Sequence, residues 1–194
     1  MSQLVVQAFL TLDGVMQAPG PDDDDRDGGF EHVGWMAPYF DEDLTRTVMR
    51  LHAQAGALLL GRRTYETMAG YWPRVTDTEN PLATTMNRLA KHVASRTLTE
   101  ATWRNSALLA HDVPAAVAEL KKQPGSEIQV IGSGRLVRTL RQHDLVDVYR
   151  LWIFPVLLGA GKRLFAPGPA AANLELVDTV VSRTGVAMHT YRRR

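Results

Sequence analysis

The chain begins with an apolar run, Leu4 to Leu12, rich in valine and carrying a phenylalanine, and closed by Asp13-Gly14. Such a run predicts a buried strand entering a turn. Asp41 then opens a predicted helix. Glu42 and Asp43 suit the positive end of its dipole, Leu44, Val48, Leu51 and Ala55 fall on one face, and Gly56 is expected to end it. Ala57 to Leu60 is a short continuous apolar run followed at once by Gly61, and Thr64 to Met68 has helical spacing. Asn80-Pro81 predicts an N-cap with proline at the first helical position, after which Leu82, Met86 and Leu89 line one face. Lys91 to Ser95 predicts a short strand and Thr102 to Leu109 an extended segment. Asp112 to Gln123 predicts a helix with Val113, Val117 and Leu120 inward, stopped by Pro124-Gly125. Ile128 to Ile131 is bounded by Gly132, and helical spacing resumes from Leu136 to Leu140. Val146 to Phe154, Leu174 to Val181 and Val186 to Tyr191 predict strands, the last two an antiparallel pair joined through Ser182 to Gly185. This alternation predicts one α/β domain over residues 1–194, a three-layer sandwich around a mostly parallel sheet with antiparallel C-terminal strands.

Composition changes the picture mainly by exclusion. The 194 residues include no cysteine, which removes disulfides, thiolate nucleophiles and zinc ribbons. The longest uncharged apolar candidate, Leu151 to Gly161, is broken by Pro155 and Gly159 and falls short of the roughly 18 residues of a membrane span. With no secretory pattern in Met1-Ser2-Gln3-Leu4, the expected location is the cytoplasm. A formal charge of +1 offers no global field for nucleic acid or anionic lipid. The acidic segment Pro21 to Gly29 lacks the spacing of a calcium loop and is expected to be a solvated, mobile loop; Arg192-Arg193-Arg194 is assigned no role. The six histidines show no ligand spacing, so no metal is expected, and no Gly-x-Ser-x-Gly elbow is present.

Three predicted strand-to-helix turns carry the same kind of chemistry: Gly61-Arg62-Arg63-Thr64, Ser95-Arg96-Thr97 and Gly132-Ser133-Gly134-Arg135. Singly, a Gly-Ser-Gly turn is a tight turn and paired arginines are surface charges. In a parallel sheet, however, all three gather at the carboxyl edge, where helix starts offer backbone N–H groups to a phosphate. Neither standard glycine motif is satisfied. Val137 stands where a dinucleotide fingerprint needs its third glycine, and Val156 and Arg163 replace the first glycine and the Ser/Thr of a P-loop ending at Gly161-Lys162.

Ala57 to Met68, with its Gly61-Arg62-Arg63-Thr64-Tyr65 centre, resembles the dihydrofolate reductase turn in which a strand ends in Gly-Arg. Ile131-Gly132-Ser133-Gly134-Arg135-Leu136 resembles that fold's pyrophosphate turn. Leu151 to Phe165 is similar to the reductase domain of riboflavin biosynthesis and its small stand-alone relatives. The resemblance implies a dihydrofolate reductase-like fold, NADPH as cofactor, and hydride transfer to a pterin-like or pyrimidine-like small molecule. The alternative is a module that binds NADPH or a related nucleotide without turnover. The resemblance further implies that Arg62, Thr64, Ser95 and Arg96 hold the 2′-phosphate side, with Gly61 and Arg63 beside them, and that Gly132, Ser133, Gly134 and Arg135 wrap the pyrophosphate. It places the nicotinamide near Leu12 to Val15, including Gly14. Counting sixteen residues back from Gly61, where folate reductases keep a carboxylate, lands on Thr45, with Asp41 and Asp43 nearby as candidate catalytic acids, the alternative for each being an N-terminal capping or dipole-pairing residue. Trp35, Tyr39 and Phe40 are candidate stacking surfaces for a flat ring. The apolar run from Leu151, read with the same resemblance, implies a homodimer through Leu151 to Phe165; the alternative is a wholly internal strand.

Overall fold

The structure is a computed structural model that describes residues 1–20, 25–165 and 171–194. In chain order the main elements are β1 (Leu4–Thr11), α1 (Glu42–His52), β2 (Ala55–Gly61), α2 (Arg62–Tyr71), α3 (Ala83–Arg88), β3 (Ala90–Ala94), β4 (Ser106–Leu109), α4 (Val113–Lys122), β5 (Glu127–Ile131), α5 (Gly134–Gln142), β6 (Val148–Phe154), β7 (Leu174–Val181) and β8 (Ala187–Arg193). The strands form one sheet in the order β4-β3-β2-β5-β1-β6-β8-β7. Every pair from β4 to β6 is parallel, and β8 joins β6 and β7 antiparallel.

Alternation along the strands separates the two faces. Leu4, Val6, Ala8 and Leu10 of β1 and Leu59 of β2 pack with Val117 of α4 and Val137 and Leu140 of α5. Phe9, Trp152 and Phe154 pack under α1 through Leu44, Val48 and Leu51, while Leu58 and Leu60 pack with Tyr65 of α2 and Met86 of α3. Helices α1 to α3 therefore cover one face and α4 and α5 the other. Strand β5 lies between β2 and β1, and the helix that follows it is on the opposite face from the helices that follow its two neighbours. This parting of helices makes the carboxyl end of β5 the switch point of the sheet, the place where such folds bind ligands.

Two boundaries differ from the sequence reading. Helix α1 ends at His52, and Gly56 lies inside β2, because parallel pairing with β5 begins at Ala55. Asn80 does not cap α3 directly. Its Oδ1 accepts from the Leu82 N–H at 3.1 Å and its carbonyl accepts from Ala83, forming a turn from which the helix starts at Ala83. The acidic segment also departs from expectation. Residues 21–24 lie outside the described residues, but Asp25 and Asp27 are tied into ion pairs with Arg63 and Lys162. The apolar stretch of β6 is accounted for within one chain, since Leu151, Trp152 and Phe154 are buried where β6 runs between β1 and β8. Among the described residues no helix is long and apolar enough to cross a membrane.

Candidate functional site

Helix starts differ in how they are closed. Asp41 caps α1 through Oδ1, which accepts from the Leu44 N–H at 2.8 Å, and Asp112 caps α4 through Oδ1 and the Ala115 N–H at 3.1 Å. Helices α2 and α5, which leave the neighbouring strands β2 and β5, have no side-chain cap. Ser133 stands at the N-cap of α5 in the left-handed region (φ 54°), yet its hydroxyl points away from its own helix. It accepts from the Gly61 N–H at 2.9 Å and lies 3.0 Å from Thr64 Oγ1 and 2.9 Å from the Ile131 carbonyl. One hydroxyl thus stitches the two helix starts together across the switch point. Their first-turn N–H groups, without side-chain caps, are donors of the kind that suit an anion.

Glycine suits this turn more through backbone conformation than through space. Gly132 has φ +53°, and a Cβ there would lie 3.6 Å from Thr64 Oγ1; a Cβ on Gly134 would come within 2.9 Å of Met16 Sδ. The structure thus brings Gly61, Thr64, Gly132, Ser133 and Gly134 together. The arginines sit around them on the surface: Arg62 pairs with Glu66 one turn on at 3.1 Å, and Arg135 and Arg96 are exposed. Ser95 is buried and its hydroxyl accepts from the N–H groups of Thr97 and Leu98, which shapes the turn bearing Arg96.

The end of β1 is clasped by the segment after β6. Thr11 Oγ1 donates to Asp13 Oδ1 at 2.6 Å, and the other Asp13 oxygen accepts from the Gly159 N–H at 2.8 Å. The Thr11 bond, with help from the two backbone N–H groups of Leu158 and Gly159, holds the Asp13 carboxyl below its usual range. Leu12 N donates to the Val156 carbonyl and Met16 N to that of Lys162, leaving the Leu12 side chain 62% exposed and Gly14 at φ +80°.

The two candidate acids occupy different environments. Asp43 pairs with Arg46 and, at 2.8 Å, with Arg183. Asp41 uses one oxygen as the cap, while its Oδ2 is buried with no hydrogen-bond partner among the described residues. Thr45 donates its hydroxyl to the Asp41 carbonyl. Trp35 is 7% exposed, donates from Nε1 to the Gln17 carbonyl at 2.7 Å and meets Phe154 edge-on, so it is part of the core. Phe40 packs edge-on against Phe9, and Tyr39 against Phe154. Both rings are half-buried.

Sequence reasoning named Arg63 but missed the charged group it joins beside this edge. Arg63, Asp25, Arg26 and Asp27, with Glu66, Thr67, Gly70 and Tyr71, line a cleft of about 630 Å³ between the loop and α2. Lys162 reaches Asp25 and Asp27 from the clasp segment. A possible signal was the rarity of lysine in an arginine-rich chain, but nothing in one dimension pairs residues 25 and 162.

The chain is similar to protein YyaP of Bacillus subtilis (strain 168), with 36% identity over 192 residues, covering 97% of this chain and 94% of that one. Among solved structures it resembles a putative riboflavin biosynthesis protein from Shewanella sp. PV-4, at TM-score 0.76, 18% identity and 99% coverage of both chains. It also resembles a dihydrofolate reductase from Enterococcus faecalis solved with NADP(H), at TM-score 0.60 and 18% identity, covering 99% of this chain and 96% of that one. The fold is accordingly dihydrofolate reductase-like. Residues 2–188 match the family of the RibD C-terminal domain, and this chain belongs to that family.

Proposed function

We propose that the protein is an NADPH-dependent reductase that transfers a hydride to a small flat heterocycle of the pterin or pyrimidine type, with residues 1–194 acting as one domain. The observation that carries this reading is the pair of helix starts, α2 and α5, without side-chain caps and joined by the Ser133 hydroxyl at the switch point. A diphosphate fits such an edge, because backbone N–H groups and helix dipoles supply donors and partial positive charge that no side chain already claims. Gly132, Ser133, Gly134 and Arg135 would hold the pyrophosphate. Arg62, Arg63, Thr64, Ser95 and Arg96, with Gly61, would hold the 2′-phosphate side. When bound, the cofactor supplies the hydride.

The remaining work falls to this chain's own residues. Leu12 and Gly14, fixed by the Asp13 clasp, would border the nicotinamide, and Tyr39 and Phe40 would contact the ring to be reduced, with Trp35 as the support beneath them. A proton must reach the reduced heterocycle. Of the two candidates, Asp41 has a carboxylate oxygen to spare, whereas Asp43 is engaged by two arginines.

The test is loss of absorbance near 340 nm when the protein is mixed with NADPH and a panel of pterins, pyrimidinones and quinoid compounds. Oxidation of NADPH with at least one acceptor is expected; binding without oxidation across the panel would favour the non-catalytic nucleotide-binding module. Cofactor choice is tested separately. A hydrogen bond to a charged group is worth roughly 1.5–3 kcal/mol, so Arg96→Ala should weaken NADPH about 10- to 150-fold and hardly change NADH. Equal affinity of the unaltered chain for both cofactors, by fluorescence titration, would refute the assignment of the arginines to a 2′-phosphate.

A further inference from the structure

Arg63 on the first turn of α2 and Lys162 on the clasp segment each face the same two carboxylates. Lys162 Nζ lies 2.7 and 2.5 Å from the two oxygens of Asp25 and 3.0 Å from Asp27 Oδ2. Arg63 Nη1 bonds Asp27 Oδ2 and lies 3.4 Å from Asp25 Oδ1. The backbone beneath is also held by Gln17, and Asp25 Oδ1 adds longer contacts, accepting from Gln17 Nε2 at 3.4 Å and from the Asp27 N–H at 3.3 Å. Gln17, buried, donates from Nε2 to the carbonyls of Asp25 at 2.9 Å and Asp27 at 3.0 Å, and its Oε1 accepts from the Lys162 N–H at 3.0 Å. The main chain of both segments is therefore anchored, while the four charged tips stay between 25% and 52% exposed; Arg63, Asp25 and Asp27 line the cleft, and Lys162 reaches the two carboxylates from the clasp segment. Partly exposed ion pairs are weak and screened, so a more highly charged anion can exchange with them.

We propose that Arg63 and Lys162 form an anion-exchange site, filled in the free chain by the carboxylates of Asp25 and Asp27 and taken over by a phosphate group of the ligand that enters the cleft. Two cations a short distance apart, each already holding oxygens of both carboxylates, match the several oxygens of a phosphate or diphosphate. The carboxylate oxygens stand in for phosphate oxygens. Asp25 and Asp27 then act as a built-in competitor that lowers affinity for the incoming anion. Because Gln17 holds main-chain carbonyls, the carboxylates can leave without unfolding the loop. The site rests on the reading that a phosphate-bearing molecule binds at this edge. That phosphate is either the cofactor's or one carried by another ligand.

The experiment titrates NADPH and, separately, inorganic pyrophosphate into the unaltered chain, the double variant Asp25→Asn/Asp27→Asn and Lys162→Gln, by calorimetry at low ionic strength. The single variant Asp27→Asn stands in should the double variant fail to fold, as judged by thermal unfolding. The double variant is expected to bind about tenfold tighter, and Lys162→Gln about tenfold weaker, than the unaltered chain. A shift for both probes makes the cofactor the source of the phosphate; a shift for pyrophosphate alone makes it another ligand. Equal or weaker binding by the variants lacking the carboxylates, or no binding of either probe by any form, overturns the exchange site. Tighter pyrophosphate binding in a protein that fails to oxidise NADPH with any acceptor of the panel counts against the reductase alone.

Discussion

Lys91 is wholly buried on β3, and its partners among the described residues include no carboxylate. Its Nζ donates to the carbonyls of Asn87 at 3.0 Å and Arg104 at 3.1 Å and sits 4.1 Å over the Trp103 ring. Burial, with a smaller contribution from the Arg104 charge, lowers its pKa from 10.5 to about 8. The unfolded chain therefore binds more protons than the folded one between those values, so stability should rise as pH rises from about 8 towards 10.5. Chemical denaturation across that window should show a gain of about 1–3 kcal/mol that Lys91→Met lacks. Parallel slopes in the two proteins would show that the lysine carries no such penalty. From sequence, Lys91 reads as the polar start of a short strand; only the third dimension closes Asn87, Trp103 and Arg104 around it.

Between elements, the segment after β6 is as decisive as any helix. Gly161 adopts φ +126° where the segment runs beside Val15, beyond the end of β1, and a Cβ there would lie 2.6 Å from Val15 Cγ1 and 2.8 Å from Phe30 Cε2. Both neighbours belong to the core, so neither can give way cheaply. Gly161→Ala combines backbone strain with a clash and should cost about 2 kcal/mol or more, measured as a lower unfolding midpoint with the denaturant slope unchanged. It should also displace Lys162, so that the variant binds pyrophosphate less tightly. An unchanged midpoint would mean that the clasp is dispensable. The Gly161-Lys162 pair was legible in the sequence only as part of a failed phosphate loop. Its work at the junction of two loops depends on contacts with Val15, Gln17 and Phe30, more than 130 positions away.

At the scale of the whole molecule, exposed apolar surface bears on assembly. Burial of Leu151, Trp152 and Phe154 accounts for the apolar run within one chain and leaves the family resemblance as the reason for pairing through Leu151 to Phe165, where Leu157, at 71% exposed, and Phe165 remain on the surface. On the far edge of the sheet, Leu176, Val177 and Val181 of β7 are also exposed. An exposed apolar edge strand is a liability in a monomer and a ready surface for a second copy. The proposed homodimer should therefore appear by light scattering at micromolar concentration as about twice 21.5 kDa, and Leu176→Lys or Val181→Lys should shift it towards monomer. A clean monomer would remove the dimer. A dimer indifferent to those two changes would return the interface to Leu157 and Phe165.

The order of strands and helices was legible because a strand buried on both faces needs a continuous apolar run and a covering helix needs an apolar stripe. Leu58 to Leu60 and Leu44, Val48 and Leu51 carry those local demands in their own spacing. The Gly132-Ser133-Gly134 turn was legible for the same reason, since the positive φ of Gly132 restricts the residue at the turn itself. What tertiary structure alone decided is which distant groups share a space. The Ser133 hydroxyl meets Gly61 and Thr64 because β5 inserts between β2 and β1, a strand order that no local pattern encodes. Asp25 and Asp27 read as solvated charge because their partners, Arg63 and Lys162, arrive from α2 and from the segment beyond β6. Electrostatic pairing acts through space and leaves no period along the chain.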